Sequence, residues 1–209
     1  MIFYDCATAP SPRRARIFIA EKGLDIETRE ISLTEGAQLS RDFLAVNPRA
    51  TVPVLVTDEG TVLTENLGIA AYLEAAHPEP PLMGRTPDEK GLVMMWTAII
   101  EQQGFMAIAE ALRNSSPRLK DRALPGPQNY PQIPELAERG KARLGHFYKM
   151  MDDHLAQSPH VAGEAFSLAD ITLLVAVDFA RVIRMQVPED HSALHDWHAR
   201  IRERPSASL

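Results

Sequence analysis

The rhythm of apolar and polar positions changes near residue 78. Before that point the apolar runs are short, and their period switches between two and about 3.6. IFY at 2–4 predicts a strand. Ser11-Pro12 predicts a helix start, a capping hydroxyl followed by proline in the first turn. RRARIFIAEK at 13–22 continues that helix, and Gly23 is a natural stop. LDIETREIS at 24–32 alternates as a second strand. Ser40 caps a short helix through Val46, which Asn47-Pro48 ends. VPVLVT (52–57) and TVLT (61–64) form a hairpin around Asp58-Glu59-Gly60. A helix from Glu65 to Ala76 then carries Ile69, Tyr72, Leu73 and Ala76 on one face, and His77-Pro78 ends it. The predicted order is β-α-β-α-β-β-α.

EPPLMGRTP at 79–87 reads as a linker, and the helical period holds through the rest of the chain. Thr86-Pro87-Asp88-Glu89 combines a cap, proline at the first helical position and the glutamate of a capping box. It opens a long helix to about Arg113. The stretch 114–133 holds four prolines and a glycine and predicts a loop, of a length that points to function or mobility. Pro134 opens a helix to about Ala156. Ser167-Leu168-Ala169-Asp170 opens another that is apolar on nearly every side and so belongs in a core. A last helix runs from about Ser192 to Glu203. The pattern therefore divides into an α/β domain at 1–78, a linker at 79–87 and an all-helical domain at 88–209.

Composition narrows the function. The chain has 209 residues, 45% of them apolar, enough for a sizeable core. A formal net charge of −6 argues against nucleic acid and against anionic membrane surfaces as partners. It leaves room for an anionic small ligand, since helix N-termini act locally. One cysteine, Cys6, cannot make an intrachain disulfide and fits a reducing compartment. MIFYDC lacks the basic and apolar regions of a signal peptide, and no 18-residue run is uninterruptedly apolar. These features predict a soluble, cytoplasmic protein.

Four stretches now combine: RRARIFIAEKGL, FLAVNPRATVPVL, LTENLGIAAYLE and FSLADITL. In this order and spacing they resemble the cytosolic glutathione S-transferase family, and look much like its bacterial members. The resemblance spans essentially the whole chain. It implies a thioredoxin-like N-terminal domain that binds glutathione, an all-α C-terminal domain that forms the co-substrate pocket, and a homodimer. It implies no metal. Pro53 matches the family's cis-proline, which turns the backbone of the preceding residue, here Val52, toward the cysteinyl unit of glutathione like an added strand. Glu65 and Asn66 match the pair that grips the γ-glutamyl end: a carboxylate for the ammonium, a short polar side chain and free N–H groups for the carboxylate. Most relatives have serine where Asn66 stands. Gln38 matches the polar residue on the glycyl carboxylate, with a solvated loop residue as the rival reading.

Glutathione brings its own thiol, so the protein needs only to favour the thiolate. The position that several classes fill with serine or cysteine falls on Ala9. Counting back from Gly23 instead selects Ser11, the first choice here, whose simpler role is a helix cap. Thr8 is second and Cys6 third; backbone amides after Pro10 can also serve. Tyr4 lies near the position used by tyrosine classes, but strand alternation turns it to the other face. Arg13, Arg14 and Arg16 read as a solvated helix face, with Arg13 the one placed to reach a ligand carboxylate.

Other features are weighed as structural. His191, His195 and His198 share a helix face, which suits packing better than a metal in a stretch without cysteine. Ser167 and Asp170 read as a capping box, and Asp170→Ala is expected to cost ~1 kcal/mol. Met94, Met95, Phe105, Met106, Phe179 and Met185 read mostly as core, some lining an apolar pocket. The resemblance also makes Glu101 and Gln102 candidates for reaching the other subunit's glutathione. The favoured reading is a glutathione transferase that conjugates glutathione to, or uses it to reduce, a small hydrophobic electrophile. A non-catalytic binding or regulatory protein is the alternative, motivated by Ala9.

Overall fold

The computed structural model describes residues 1–209, which divide into two compact units. The first holds 1–80, the segment 124–129 and Leu209; the second holds 81–123 and 130–208.

In the first unit, strand β1 (Ile2–Asp5) pairs in parallel with β2 (Glu27–Glu30), Ile2 opposite Glu27. It also pairs antiparallel with β3 (Val54–Val56), Phe3 opposite Leu55, and β3 pairs antiparallel with β4 (Val62–Thr64). The sheet order is β2-β1-β3-β4. A parallel pair needs a crossover, and helix α1 (Pro10–Glu21) supplies it between β1 and β2. Ala15, Ile17, Phe18 and Ile19 give α1 its buried face. The next helix, α2 (Arg41–Val46), starts as predicted, with Ser40 Oγ accepting the Phe43 N–H at 3.2 Å. Ile69, Ala70 and Leu73 form the buried face of α3 (Asn66–Ala76). The β3–β4 turn closes with Gly60 at φ 81°. Strand β2, an edge strand paired on one side only, is shorter than the predicted 24–32, and all four of its residues are exposed. Lys22 joins the ends of α1 and α3: its buried ammonium meets Glu74 at 2.6 Å and the carbonyls of His77 and Pro80 at 2.7 and 2.6 Å.

The second unit contains α4 (Pro87–Ile100), α5 (Met106–Ser115), α6 (Pro134–Leu155), α7 (Leu168–Phe179) and α8 (Ser192–Arg202). The Thr86 capping box is present as predicted. The long helix is not uniform: a wider π turn, Glu101–Phe105, joins α4 to α5. Arg143 donates to the Gln102 carbonyl there at 2.6 Å, and Gly104 lies so close to the Phe147 ring that a Cβ would stand 2.9 Å from it. The 29-residue helix 87–115 is long and apolar enough by length and composition to cross a bilayer, with 33% of its most apolar window buried; it packs on α6 and α7. Met94, Met95 and Met106 are 39%, 46% and 49% exposed, which corrects the core reading, since the helix shows them to its outer side. The 114–133 stretch is tied at its base: Gln132 donates to the carbonyls of Arg113 and Ser116, and Asn114 accepts the Ile133 N–H. Helix α7 is buried along nearly its whole length. Asp170 at its start is fully buried and accepts from the Ser167 N–H and hydroxyl, the Val161 N–H and the Trp197 indole, all at 3.0–3.1 Å.

Candidate functional site

The β1–α1 turn is where the predicted hydroxyl lies, and the structure shifts its role. Helix α1 begins at Pro10, with Ala9 at the cap and no side-chain cap bond. Ser11 is therefore the second helical residue rather than the cap, because both prolines fit the first turn and the earlier one takes the start. A helix start leaves several N–H groups without partners. Here Ala9 spends its N–H on the Cys6 carbonyl, Pro10 and Pro12 have none, and Arg13 reaches the Ala9 carbonyl. The N–H of Ser11 alone is left over. Its hydroxyl oxygen accepts a 2.9 Å hydrogen bond from Asn66 Nδ2, and no acceptor in the protein takes its proton. One residue thus presents two unspent donors at the positive end of a helix.

Buried charge holds the turn in place. Arg16 donates to Asp5 at 2.6 Å and to the carbonyls of Cys6 and Ala7 at 3.2 Å each. Asp5 in turn accepts the Cys6 N–H at 2.7 Å, and Glu30 accepts that of Ala7. Burial pushes the Asp5 carboxyl above its ordinary pKa, against the pull of Arg16. The arginines are thus not a solvated face. Arg14 is 7% exposed, Arg16 turns inward to serve loop carbonyls, and Arg13 donates to the Leu209 carbonyl at 2.7 Å. Cys6 is buried, with its sulfur 3.5 Å from the Thr8 hydroxyl, and Thr8 itself is exposed. Tyr4 leans on Phe43 and receives Arg29 at its hydroxyl, as strand alternation predicts.

The second wall is the entry to β3. The Val52–Pro53 peptide is cis and Pro53 is buried. Val52 lies outside the ladder, and neither its N–H nor its C=O has a backbone partner, so both groups are open to an added strand. Asn47, 1% exposed, shapes the bend: its amide donates to the Thr51 carbonyl at 2.8 Å and its oxygen accepts the Arg49 N–H. The sequence reading used Asn47 only as a helix stop. Its Asn-Pro context signals a turn, but not the partner four residues on.

The third wall is the start of α3. Glu65 is its cap, at φ 64° and ψ 138°, a region that non-glycine residues rarely occupy. Its carboxylate is exposed and lies 3.9 Å from Arg49. It makes no cap bond, and no acid stands in the first turn, so the N–H groups of Asn66, Leu67 and Gly68 stay open to an anion. Asn66 is 5% exposed, and its Oδ1 is buried without a partner. Gln38 sits in the single turn Ala37–Leu39 with a buried, unpartnered Oε1 and no hydrogen bond to the other five candidates. The fold thus joins Ser11 to Asn66 directly, keeps Val52-Pro53 and Glu65-Asn66 as adjacent pairs, and links Gln38 to none of them by a hydrogen bond. The three histidines each have a separate partner: Asp190, the Pro188 carbonyl and Asp178. No group of three His, Cys, Asp or Glu side chains is arranged to hold a metal ion.

Comparison with known proteins shows the family and the fold. Residues 8–76 match the family model for the glutathione S-transferase N-terminal domain, and 134–200 match that for the C-terminal domain. The chain is 37% identical to glutathione S-transferase 2 of Saccharomyces cerevisiae, over 99% of this chain and 87% of that one. Its fold is similar to the crystal structure of Gtt2 from the same yeast, with a TM-score of 0.90 at 35% identity, over 100% of this chain and 99% of the other. A glutathione S-transferase domain-containing protein of Marinobacter aquaeolei gives a TM-score of 0.91 at 30% identity, over 99% and 100% of the two chains.

Proposed function

The chain belongs to the glutathione S-transferase family, and from that premise we propose that it binds glutathione, stabilises its thiolate at Ser11 and conjugates the sulfur to a small apolar electrophile. The observation that carries this reading is Ser11, with its hydroxyl proton and its N–H both unspent at the start of α1. A free thiol of pKa about 8.5 is only a few per cent ionised at neutral pH. Lowering it by about two units takes roughly 2.7 kcal/mol. A hydrogen bond to a charged group contributes about 1.5–3 kcal/mol and a helix end about 0.3–1. The two donors of Ser11 are of the right size.

The rest of the peptide is held by complementary groups. Val52 pairs its open N–H and C=O with the cysteinyl backbone next to cis-Pro53. Glu65 takes the γ-glutamyl ammonium, and the open N–H groups of α3 with Asn66 take the neighbouring carboxylate. The Oε1 of Gln38 is an acceptor, so its amide NH2 is the part suited to the glycyl carboxylate. In the reaction the thiol proton passes to water. The sulfur electron pair then forms a bond to the electrophilic carbon, and the leaving group departs with its own pair. A homodimer and a cytoplasmic location complete the reading; they rest on the family and on a lone, free cysteine.

The test is the ultraviolet absorption of thiolate in the saturated glutathione complex, titrated between about pH 5 and 9 beside free glutathione. Ionisation at a pH well below that of free glutathione, lost in Ser11→Ala, is the expected result. A bound thiol that ionises with the free one makes this a carrier or sensor of glutathione instead.

A further inference from the structure

The hydrogen bond between Ser11 and Asn66 joins residues 55 positions apart, at the starts of two different helices, and it has a direction. A hydroxyl has one proton and two acceptor sites, whereas an amide NH2 can only donate. Nδ2 stands 2.9 Å from Ser11 Oγ, so the amide occupies an acceptor site of the hydroxyl and leaves its proton free. The carbonyls nearest in sequence are already served: Cys6 accepts from Ala9 and Arg16, and Ala7 accepts from Arg16. With Oδ1 turned to Ser11 instead, the serine proton would go to the amide, and the hydroxyl would show only lone pairs to a sulfur anion.

We infer that Asn66 is a positioning residue for thiolate stabilisation: its amide sets the direction in which Ser11 donates. This rests on the function proposed above. Two observations favour the role. Asn66 is 5% exposed, so its amide is held in place by burial rather than swinging in water. Its Oδ1 is buried and has no partner, so the bond donated to Ser11 is the one hydrogen bond its side chain makes. A thiolate beside Ser11 then favours the donating arrangement, because a charge-assisted hydrogen bond is stronger than a neutral one. Asparagine differs here from a shorter residue at the same place: it keeps a helix-start polar group and also reaches the serine of another helix.

The experiment is a mutant cycle read on the thiol pKa of the glutathione complex at saturation, which does not depend on affinity. The variants are Ser11→Ala, Asn66→Ala, the double variant and Asn66→Ser, the last a polar residue that keeps the helix start and guards against misfolding. Asn66→Ala is expected to raise the bound thiol's pKa by about one unit, roughly a tenfold loss of thiolate at pH below it. The same change made on Ser11→Ala is expected to move the pKa no further, while its effect on affinity persists in both backgrounds. An unchanged pKa in Asn66→Ala and Asn66→Ser, or an equal shift with and without Ser11, overturns the inference and leaves Asn66 as a ligand contact only. If the wild-type complex itself shows no shift, it is the proposed function that fails.

Discussion

Glu65 holds φ at 64° with a full side chain, and conformations of this kind cost about 1–3 kcal/mol. Glycine there removes the strain and also removes the carboxylate. Glu65→Gly is expected to raise stability in thermal melts by about 1 kcal/mol while weakening glutathione binding severalfold in calorimetry. Asp170 shows how far a sequence-based magnitude can fall short. As one half of a capping box its loss is expected to cost ~1 kcal/mol. In the structure it also serves the Val161 N–H and the Trp197 indole, and these donors would be stranded in the interior. Asp170→Ala is therefore expected to cost about 3–5 kcal/mol in denaturant unfolding, with glutathione affinity of the folded fraction unchanged. Much of the site was legible residue by residue, because Pro53, Glu65 and Asn66 lie in motifs whose spacing is local. The Ser11–Asn66 bond was not, since nothing in a one-dimensional pattern joins positions 55 apart. The role of Arg16 was hidden for the same reason: helical spacing shows which face it leaves by, not that loop carbonyls await it there.

At the scale of elements, α5 and α6 approach until a backbone touches a backbone. A Cβ on Gly140 would stand 2.5 Å from the Ala107 carbonyl oxygen and 2.8 Å from the Ala111 nitrogen, neither of which can rotate away. Gly140→Ala is expected to destabilise by about 3 kcal/mol. Gly145→Ala, in the same helix with open space around it, is expected to gain up to about 1 kcal/mol. Chemical denaturation of the two variants side by side separates close approach from helix propensity. The same helix pair carries a pH-sensitive link. Glu110 meets Arg139 at 2.7 Å and Arg143 at 2.9 Å. Burial raises its pKa, but the hydrogen bonds from these arginines outweigh that, and its carboxyl lies below the ordinary value. A lowered acid contributes stability that is full above its unfolded pKa, about 4.3, and is lost as pH falls through the folded value. Glu110→Gln is expected to flatten the acid limb of stability measured from about pH 6 down to 3. The helices themselves were legible from period and caps. The π turn was not, because it depends on Gly104 meeting Phe147 and on Arg143 reaching the Gln102 carbonyl, contacts made from a different helix.

For the whole molecule, the sequence placed its break near residue 78, and the two compact units meet at Pro80 and Pro81 along the chain. It had no means to assign 124–129 to the first unit, since that grouping joins residues far apart in the chain. The proposed ligand touches groups of the first unit only by the roles argued above, so its effects divide the chain. At a hundred times its dissociation constant, glutathione is expected to stabilise the protein by about 2.7 kcal/mol. Hydrogen exchange should then slow at the open amides of Ser11, Val52, Asn66, Leu67 and Gly68 beyond the general slowing that added global stability brings, and the absence of any excess at these amides would contradict the proposed site.

The prolines on either side of Ser11 have a spectroscopic consequence. In an amide-detected magnetic resonance spectrum, positions 10 and 12 are silent, so the signal of residue 11 is an isolated marker with no sequential neighbour on either side. Its frequency reports directly on what sits before the helix, and following that one peak against glutathione gives occupancy and thiol charge state from a single nucleus.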